Sequence, residues 1–268
     1  MVSELTHPLQ GPSRSVFGKA TLSRDDVLAL DRLAAAAWAA PEQVNCHGWL
    51  MRFADGVTRR ANSTAPFPLE GDVSLDEQIA ATEAFYRAHD LPPRFQMTRA
   101  AAPECLDDEL ARRGYETEAP VDIMIADAEK LAAGAGPAIS ISETAPDGWW
   151  ELYMQGYGRD PRVIVAGARE LPLFASSSGD DGSIEAIGLG VMGGGWLAVF
   201  GMFTRPECRR KGLGAGLIRA LAAFAVDRSG IGVYLQVEAD NPNARRLYED
   251  LGFRGVYGYH YRTLWTAS

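Results

Sequence analysis

The stretch MFTRPECRRKGLGAGL, residues 202–217, followed by LQVEADNPNARRLYEDLGF, residues 235–253, decides how this chain is read. In the first, an apolar run ending in Thr204 gives way to Arg209, Arg210 and Lys211, then to Gly212, Leu213, Gly214 and Ala215 and a helical pattern. Glycines at 212 and 214 let backbone N–H groups turn toward a ligand with no Cβ in the way, and the helix N-terminus adds roughly half a positive charge. With full charges beside it, the segment reads as an anion cradle suited to a pyrophosphate. A Walker P-loop is excluded because Gly-Lys-Ser/Thr is absent. A dinucleotide fingerprint is excluded because Leu217 stands where its third glycine would fall. The plain alternative is a glycine-rich helix start on a basic surface.

The second stretch is a strand, a turn and a helix. Over 231–238, Val233, Leu235 and Val237 face one way and Tyr234, Gln236 and Glu238 the other. The helix over 243–251 is stopped by Gly252 and aligns Ala244, Leu247, Tyr248 and Leu251 along one side. A tyrosine on such a stripe is ordinarily core. On a helix that directly follows a parallel-type strand, however, its phenol can point into the crevice at the strand's carboxyl end.

Working outward, the preceding part of this half reads as an aromatic-rich helix over 147–158 and strands over 173–178, 185–193 and 196–204. A helix over 212–228 aligns Leu213, Leu217, Leu221 and Phe224. The first half shows the same order at shorter length. It has a helix over 24–40 and a hairpin over 48–66 around Asp55-Gly56. A helix over 74–90 is opened by a Ser74/Glu77 capping box, and a strand over 94–98, a helix over 105–114 and a strand over 121–126 follow. FQMTRAAAPECLDDELARRGY (95–115) matches 235–253 element for element, ending Gly114-Tyr115 against Gly252-Phe253, but Leu110 stands where the second copy has Tyr248. The chain therefore divides into an arm (1–23), a first, degenerate copy (24–130), a linker (131–138) and a second copy (139–268).

The composition is that of an ordinary globular chain: 268 residues, 47% hydrophobic and 23% charged, which excludes disorder, collagen and coiled coil. A net charge of −9 argues against a nucleic-acid partner, and most of the excess acid lies in the first half, which suits a cationic acceptor. Cys46, Cys105 and Cys208 have no close pairing, which points to a reducing, cytoplasmic setting. No signal peptide or membrane span is expected, and His7, His47, His89 and His260 are too scattered for a metal site.

The two quoted stretches together resemble the GNAT superfamily of acetyl-CoA-dependent N-acetyltransferases. Its Arg/Gln-x-x-Gly-x-Gly/Ala loop and its Asn-x-x-Ala-x-x-Leu-Tyr-x-x-x-Gly-Phe helix are matched here, the latter by Asn241, Ala244, Leu247, Tyr248, Gly252 and Phe253. The resemblance covers about 172–263; residues 25–126 are similar to the N-terminal part of actinobacterial tandem-domain acetyltransferases. It implies an α+β fold of two GNAT-like domains, each a mixed sheet flanked by helices and splayed between its fourth and fifth strands, with acetyl-CoA in the gap. Backbone of Met202, Phe203 and Thr204 would pair with the pantetheine arm, Arg209 through Ala215 would take the pyrophosphate, and Asn241 would hydrogen-bond the pantetheine end. Tyr248 would protonate the departing thiolate. The acceptor would be a small-molecule or peptide amine that attacks directly.

That amine must lose a proton, because amino groups have pKa values of roughly 8–10. Several relatives carry a glutamate five residues before the motif asparagine, where this chain has Gln236, which cannot act as a base. Glu238, on the same strand face, is the substitute candidate, against the plain reading of a solvated strand-end carboxylate. A non-catalytic acyl-CoA sensor or scaffold is the alternative function, and acylation of hydroxyls would need a stronger base. Trp149, Trp150 and the stretch around His260 could line an acceptor pocket but read more simply as core, with His260 structural. Arg59, Arg60 and Asn62 could contact a ligand but are explained by a solvated hairpin face. Cys208 is a thiol whose basic neighbours could lower its pKa, with no His or Asp arrangement to support nucleophilic catalysis.

Overall fold

The computed structural model describes residues 9–168 and 170–265. The first half comprises α1 (Arg24–Ala37), β1 (Glu42–Cys46), β2 (Trp49–Phe53), β3 (Ala65–Pro66), α2 (Leu75–Ala88), β4 (Arg94–Met97), α3 (Leu106–Arg112), β5 (Glu116–Asp127) and α4 (Ala128–Ala132). The second comprises β6 (Ser140–Ser142), α5 (Trp149–Tyr157), α6 (Arg162–Ala166), β7 (Pro172–Ser178), β8 (Ile184–Gly193), β9 (Trp196–Thr204), α7 (Leu213–Val226), β10 (Gly232–Glu238), α8 (Pro242–Asp250) and β11 (Arg254–Thr263). Local chemistry sets the helix starts. Ser23 with Asp26, and Ser74 with Glu77, form reciprocal capping boxes that satisfy orphan N–H groups at the heads of α1 and α2.

Strands β4-β11-β5-β10-β9-β8-β7-β6 make one sheet, and β1-β2-β3 a small second one. Only β10 and β9 run parallel within the large sheet, as a helix crossover between them requires. The halves are interleaved at the centre. β5, from the first half, lies antiparallel between β10 and β11 of the second, and β11 reaches past it to pair with β4. The last strand of each half therefore stands beside the penultimate strand of the other. The small sheet joins this arrangement through a parallel bridge in which Thr64 N–H donates to the Arg94 carbonyl at 2.8 Å and Gln96 N–H donates to the Thr64 carbonyl at 2.9 Å.

The sheet has an apolar layer on each face. Val199, Leu197, Val233, Leu235 and Val237 pack under α7 and α8, whereas Ala198, Phe200, Ile187, Leu189 and Tyr234 pack with α1 and α5. Among the described residues no helix is long and apolar enough to cross a membrane.

Three expectations are corrected. The expected antiparallel pair across Asp55-Gly56 does form, but only over Trp49↔Pro66 and Leu50↔Ala65 of β2 and β3, and the tight hairpin of the first half turns instead at His47-Gly48, both at positive φ, between β1 and β2. The cause is Asn62, fully buried, whose Oδ1 accepts from Ala54 and Gly56 N–H while its Nδ2 donates to the Ala54 and Thr58 carbonyls. Those bonds fold 54–63 into a tight loop where a second strand was expected, so Asn62 is an internal brace and not part of a solvated face. The arm, described from residue 9, is docked: Gly11 N–H donates to the Gly194 carbonyl, Trp196 Nε1 donates to the Pro12 carbonyl at 2.8 Å, and Val16 lies in the core. The rest of the arm, 1–8, lies outside the described residues. Finally, the linker begins inside α4, which Asp127 caps. Leu131 is buried against α7, and Arg219 donates to the Ala135 carbonyl at 2.6 Å.

Candidate active site

The site begins where the sheet comes apart. β9 and β10 pair from Trp196↔Gly232 to Val199↔Leu235 and no further, although β9 runs on to Thr204 and β10 to Glu238. Beyond that point β9 stays paired on its other side with β8, through Phe203↔Ile187 and Thr204↔Ala186, and β10 with β5. The parting is produced by a bulge. The β8–β9 register slips between Leu189↔Phe200 and Ile187↔Phe203, with Gly201 at φ +58° in the slip. Only glycine serves there, because a Cβ would also stand 2.8 Å from the Tyr153 ring. The edge of Gly201 through Thr204 facing β10 thus has no strand against it. Its Met202 carbonyl accepts from the Tyr157 hydroxyl at 2.9 Å.

Immediately past this edge lies the head of α7. Its N-cap, Gly212, is left-handed at φ +78°, no side chain caps it, and no acidic residue occupies the first turn. The early N–H groups of Leu213, Gly214 and Ala215 are therefore left without a side-chain cap or an acidic neighbour in the first turn. Arg209, Arg210, Lys211 and Gly212 are exposed around it. Lys211 keeps its proton more firmly than an ordinary lysine because its ammonium bonds Glu185 at 3.4 Å. Cys208, beside the loop, is corrected from the expectation: burial and the adjacent Glu185 carboxylate push its thiol up, so it is no activated nucleophile.

The corresponding place in the first half is built differently. The head of α2 is closed by the Ser74/Glu77 box and carries Asp76 and Glu77 in its first turn, so it repels an anion. Leu110, at the position that matches Tyr248, is fully buried.

Helix α8 leans against the start of α7, and a Cβ on Gly214 would meet Leu247 at 3.3 Å. Tyr248, 8% exposed, packs on Phe253 at 5.9 Å; burial pushes its phenol up to about 12. It is therefore a neutral phenol across the working pH range. Asn241 is the N-cap of α8: its Oδ1 accepts from Ala244 N–H at 3.1 Å, which leaves the amide N–H2 group for a ligand.

The opposite face of the parting is furnished by both halves. Glu238, 60% exposed, lies 3.5 Å from Arg59 of the first half, which also contacts Glu118 at 3.3 Å. Glu118 in turn pairs with Arg94 and accepts from Thr263; despite partial burial, these bonds hold its carboxyl below the usual range. Arg60 lies over the Phe200 ring at 5.6 Å. Gln236 Oε1 accepts from the Tyr259 hydroxyl at 2.8 Å. From the sequence, Arg59 and Arg60 either contact a ligand or form a solvated hairpin face; the loop braced by Asn62 turns both toward the second half. Trp149, whose Nε1 donates to the Ala175 carbonyl, is core, and His260, 2.9 Å from Asp107, ties β11 to α3.

A mixed sheet that parts after four parallel pairs, beside an uncapped glycine helix head, is the fold of solved GCN5-related N-acetyltransferases, and the relatives of this chain make it an acetyltransferase. It belongs to the family described as "Probable histone acetyltransferase Rv0428c C-terminal", whose profile matches residues 25–262. It is 31% identical over 251 residues to the "Uncharacterized N-acetyltransferase YobR" of Bacillus subtilis, covering 89% of this chain and 98% of that one. It is 26% identical over 229 residues to the "Probable histone acetyltransferase Rv0428c" of Mycobacterium tuberculosis, covering 85% and 70%. Among solved structures, a GCN5-related N-acetyltransferase from Kribbella flavida shares the fold at TM-score 0.63 and 16% identity, covering 93% and 98%. A tandem GNAT protein from the clavulanic acid biosynthesis pathway does so at TM-score 0.61 and 14% identity, covering 94% and 93%.

Proposed function

We propose that the second half binds acetyl-CoA in the parting between β9 and β10 and transfers its acetyl group to a primary amine by direct attack. The carrying observation is the juxtaposition of an unpaired β9 edge with the uncapped head of α7, because acetyl-CoA needs both. Its pantetheine amides need an open strand edge, and its pyrophosphate needs N–H groups and cations. The Met202–Thr204 backbone would bond the pantetheine arm, and Arg209, Arg210, Lys211 and the N–H groups of Gly212 through Ala215 the pyrophosphate. The Asn241 amide would bond the pantetheine end. A backbone N–H of the β9 edge would polarise the thioester carbonyl.

As the amine nitrogen bonds to the acetyl carbon, the carbon–sulfur bond breaks. The neutral phenol of Tyr248 is suited to give its proton to the departing sulfur. Glu238 is the candidate to take the amine's proton, directly or through a water. The closed, acidic head of α2 and Leu110 at the Tyr248 position support a first half that binds no acetyl-CoA of its own and instead supplies Arg59 and Arg60 to the acceptor side.

Calorimetric titration with acetyl-CoA, repeated for Arg210→Ala, tests the reading together with thiol release over a broad amine panel. One site per chain, weakened by the substitution, and thiol released with an amine are expected. Two sites would overturn the reading of the first half. Binding without turnover on any amine would leave a sensor, and no binding would sink the acetyl-transfer reading.

A further inference from the structure

Among the described residues, two buried side-chain atoms have no hydrogen-bond partner, Arg60 Nε and Gln236 Nε2. Both are donors. They come from different halves of the chain, one from the loop braced by Asn62 and one from β10, yet they share a neighbour. The Tyr259 hydroxyl donates to Gln236 Oε1 at 2.8 Å and lies against the Arg60 side chain. Arg60 also stands over Phe200, the last β9 residue before the Gly201 bulge. The two orphan donors therefore lie on the face of the sheet opposite the one that α7 and α8 cover, beside the residue at which β9 parts from β10.

A buried donor left without an acceptor costs about 1–3 kcal/mol, more when it is charged, so a protein seldom keeps two together without a use. Arg52 shows what a purely structural buried arginine looks like in this same fold. It is 1% exposed, and its guanidinium is satisfied by the Ser63 carbonyl at 2.9 Å, the Ser63 hydroxyl at 2.9 Å and Gln96 Oε1 at 2.8 Å. Arg60 has no such set, and no carboxylate pairs with it among the described residues, although Arg59 next to it has two. Its guanidinium keeps its charge despite burial, as an arginine does at any working pH, and the Tyr259 hydroxyl oxygen beside it favours the charged form.

We infer that the acceptor amine carries a carboxylate, which Arg60 and Gln236 bind, so that the substrate class is an amino acid and not a polyamine. The inference rests on the acetyl-transfer reading above and reverses the first impression, from net charge alone, of a purely cationic acceptor. Two unpartnered N–H donors of different origin border the same Tyr259 hydroxyl, and a group with several lone pairs, which a carboxylate has and an ammonium lacks, would satisfy both. The aromatic rings of Phe200, Tyr153 and Tyr157 beside them leave the remainder of the acceptor an apolar wall.

The test is steady-state thiol release with matched trios, each an amino acid, its amide and its decarboxylated amine, drawn from small, aliphatic and aromatic side chains. In the wild type, kcat/KM for the acid should exceed that for the amine by about 30-fold or more in at least one trio, with the amide below the acid. Arg60→Ala should collapse that ratio to about threefold or less, and Arg60→Lys should restore only part of it, since a lysine keeps the charge but not the Nε donor. Should Arg60→Ala fail to fold, Gln236→Leu carries the same measurement, with the ratio again expected to fall. Equal turnover of acid and amine in every trio, an amide handled as well as its acid, turnover confined to polyamines, or a ratio that survives both substitutions overturns the inference. In each of these cases acetyl-CoA still binds and thiol is still released. Failure of the acetyl-transfer reading is distinct: no heat with acetyl-CoA and no thiol from any amine.

Discussion

The Arg59 guanidinium, from the first half, lies 3.5 Å from the Glu238 carboxylate at the end of β10, the last residue of the strand that parts from β9. An ion pair this exposed contributes about 0–1 kcal/mol, so stability does not explain it, and its place at the mouth of the parting does. If Glu238 accepts the amine's proton, Glu238→Gln should lower kcat about 100-fold. Acetyl-CoA affinity should remain within a few-fold of the wild type. A fall of less than threefold would return Glu238 to the role of a solvated strand-end carboxylate.

Tyr248→Phe removes a proton donor and almost no packing, since its ring already rests on Phe253. Thiol release should drop about 100-fold while calorimetry finds acetyl-CoA bound with nearly native affinity. Because burial raises the phenol to about 12, the wild-type rate should show no loss from Tyr248 ionisation below that pH, and an alkaline limb near 10 assignable to this residue would contradict the assignment.

The anion cradle can be probed at its backbone. Gly212 is left-handed with open space where a Cβ would stand, so Gly212→Ala adds conformational strain without a clash. The strain of roughly 1–2 kcal/mol should weaken acetyl-CoA binding about tenfold. Arg210→Ala should do likewise, with a reduced dependence on salt. Equal affinity in both variants would move the pyrophosphate elsewhere.

Asp31 of α1 is buried, accepts from Thr98 at 2.7 Å and from Tyr257 at 2.8 Å, and burial raises its carboxyl to about 6. A raised carboxyl favours the fold only while protonated, so its contribution is complete below about pH 4 and lost as pH climbs to 6. Relative to Asp31→Asn, the wild type should lose about 3 kcal/mol of stability between those limits. Denaturant titrations across that range should show the gap widening and then levelling above pH 7. A constant gap would mean that Asp31 does not titrate there.

The interleaving of β5 predicts one cooperative unit. Without the first half, β10 and β11 lose the strand that separates and pairs both of them. Residues 139–268 produced alone should be insoluble or lack a cooperative melt, whereas the whole chain should unfold in a single calorimetric transition.

Much of the site lies in contiguous sequence, and that part was legible. The head of α7 and the cap and stripe of α8 depend on residues within one or two helical turns, so Gly212 and Tyr248 stand out by spacing, while Asn241 enters through the resemblance to the GNAT superfamily. The capping box at Ser74 was legible for the same reason. The Asp55-Gly56 turn misled because the competing interaction, from Asn62 to Ala54 and Gly56, is a side-chain brace that strand periodicity does not register.

By itself the sequence determined that two copies share one order of elements, and its resemblance to the GNAT superfamily rests on the Gly212–Ala215 loop and Tyr248 of the second copy, where the first has Leu110 in place of the tyrosine, since each is a matter of local residue type and helical spacing. Only the tertiary structure decided how the copies share a sheet, that β9 and β10 part after Val199 and Leu235, and that Arg59 and Arg60 of the first half face the parting. These depend on contacts between residues far apart in the chain. Strand exchange brings β5 beside β10, and a buried asparagine turns a loop toward its partner half. A single sequence records no such pairings, because any half-buried strand has a face that suits several neighbours.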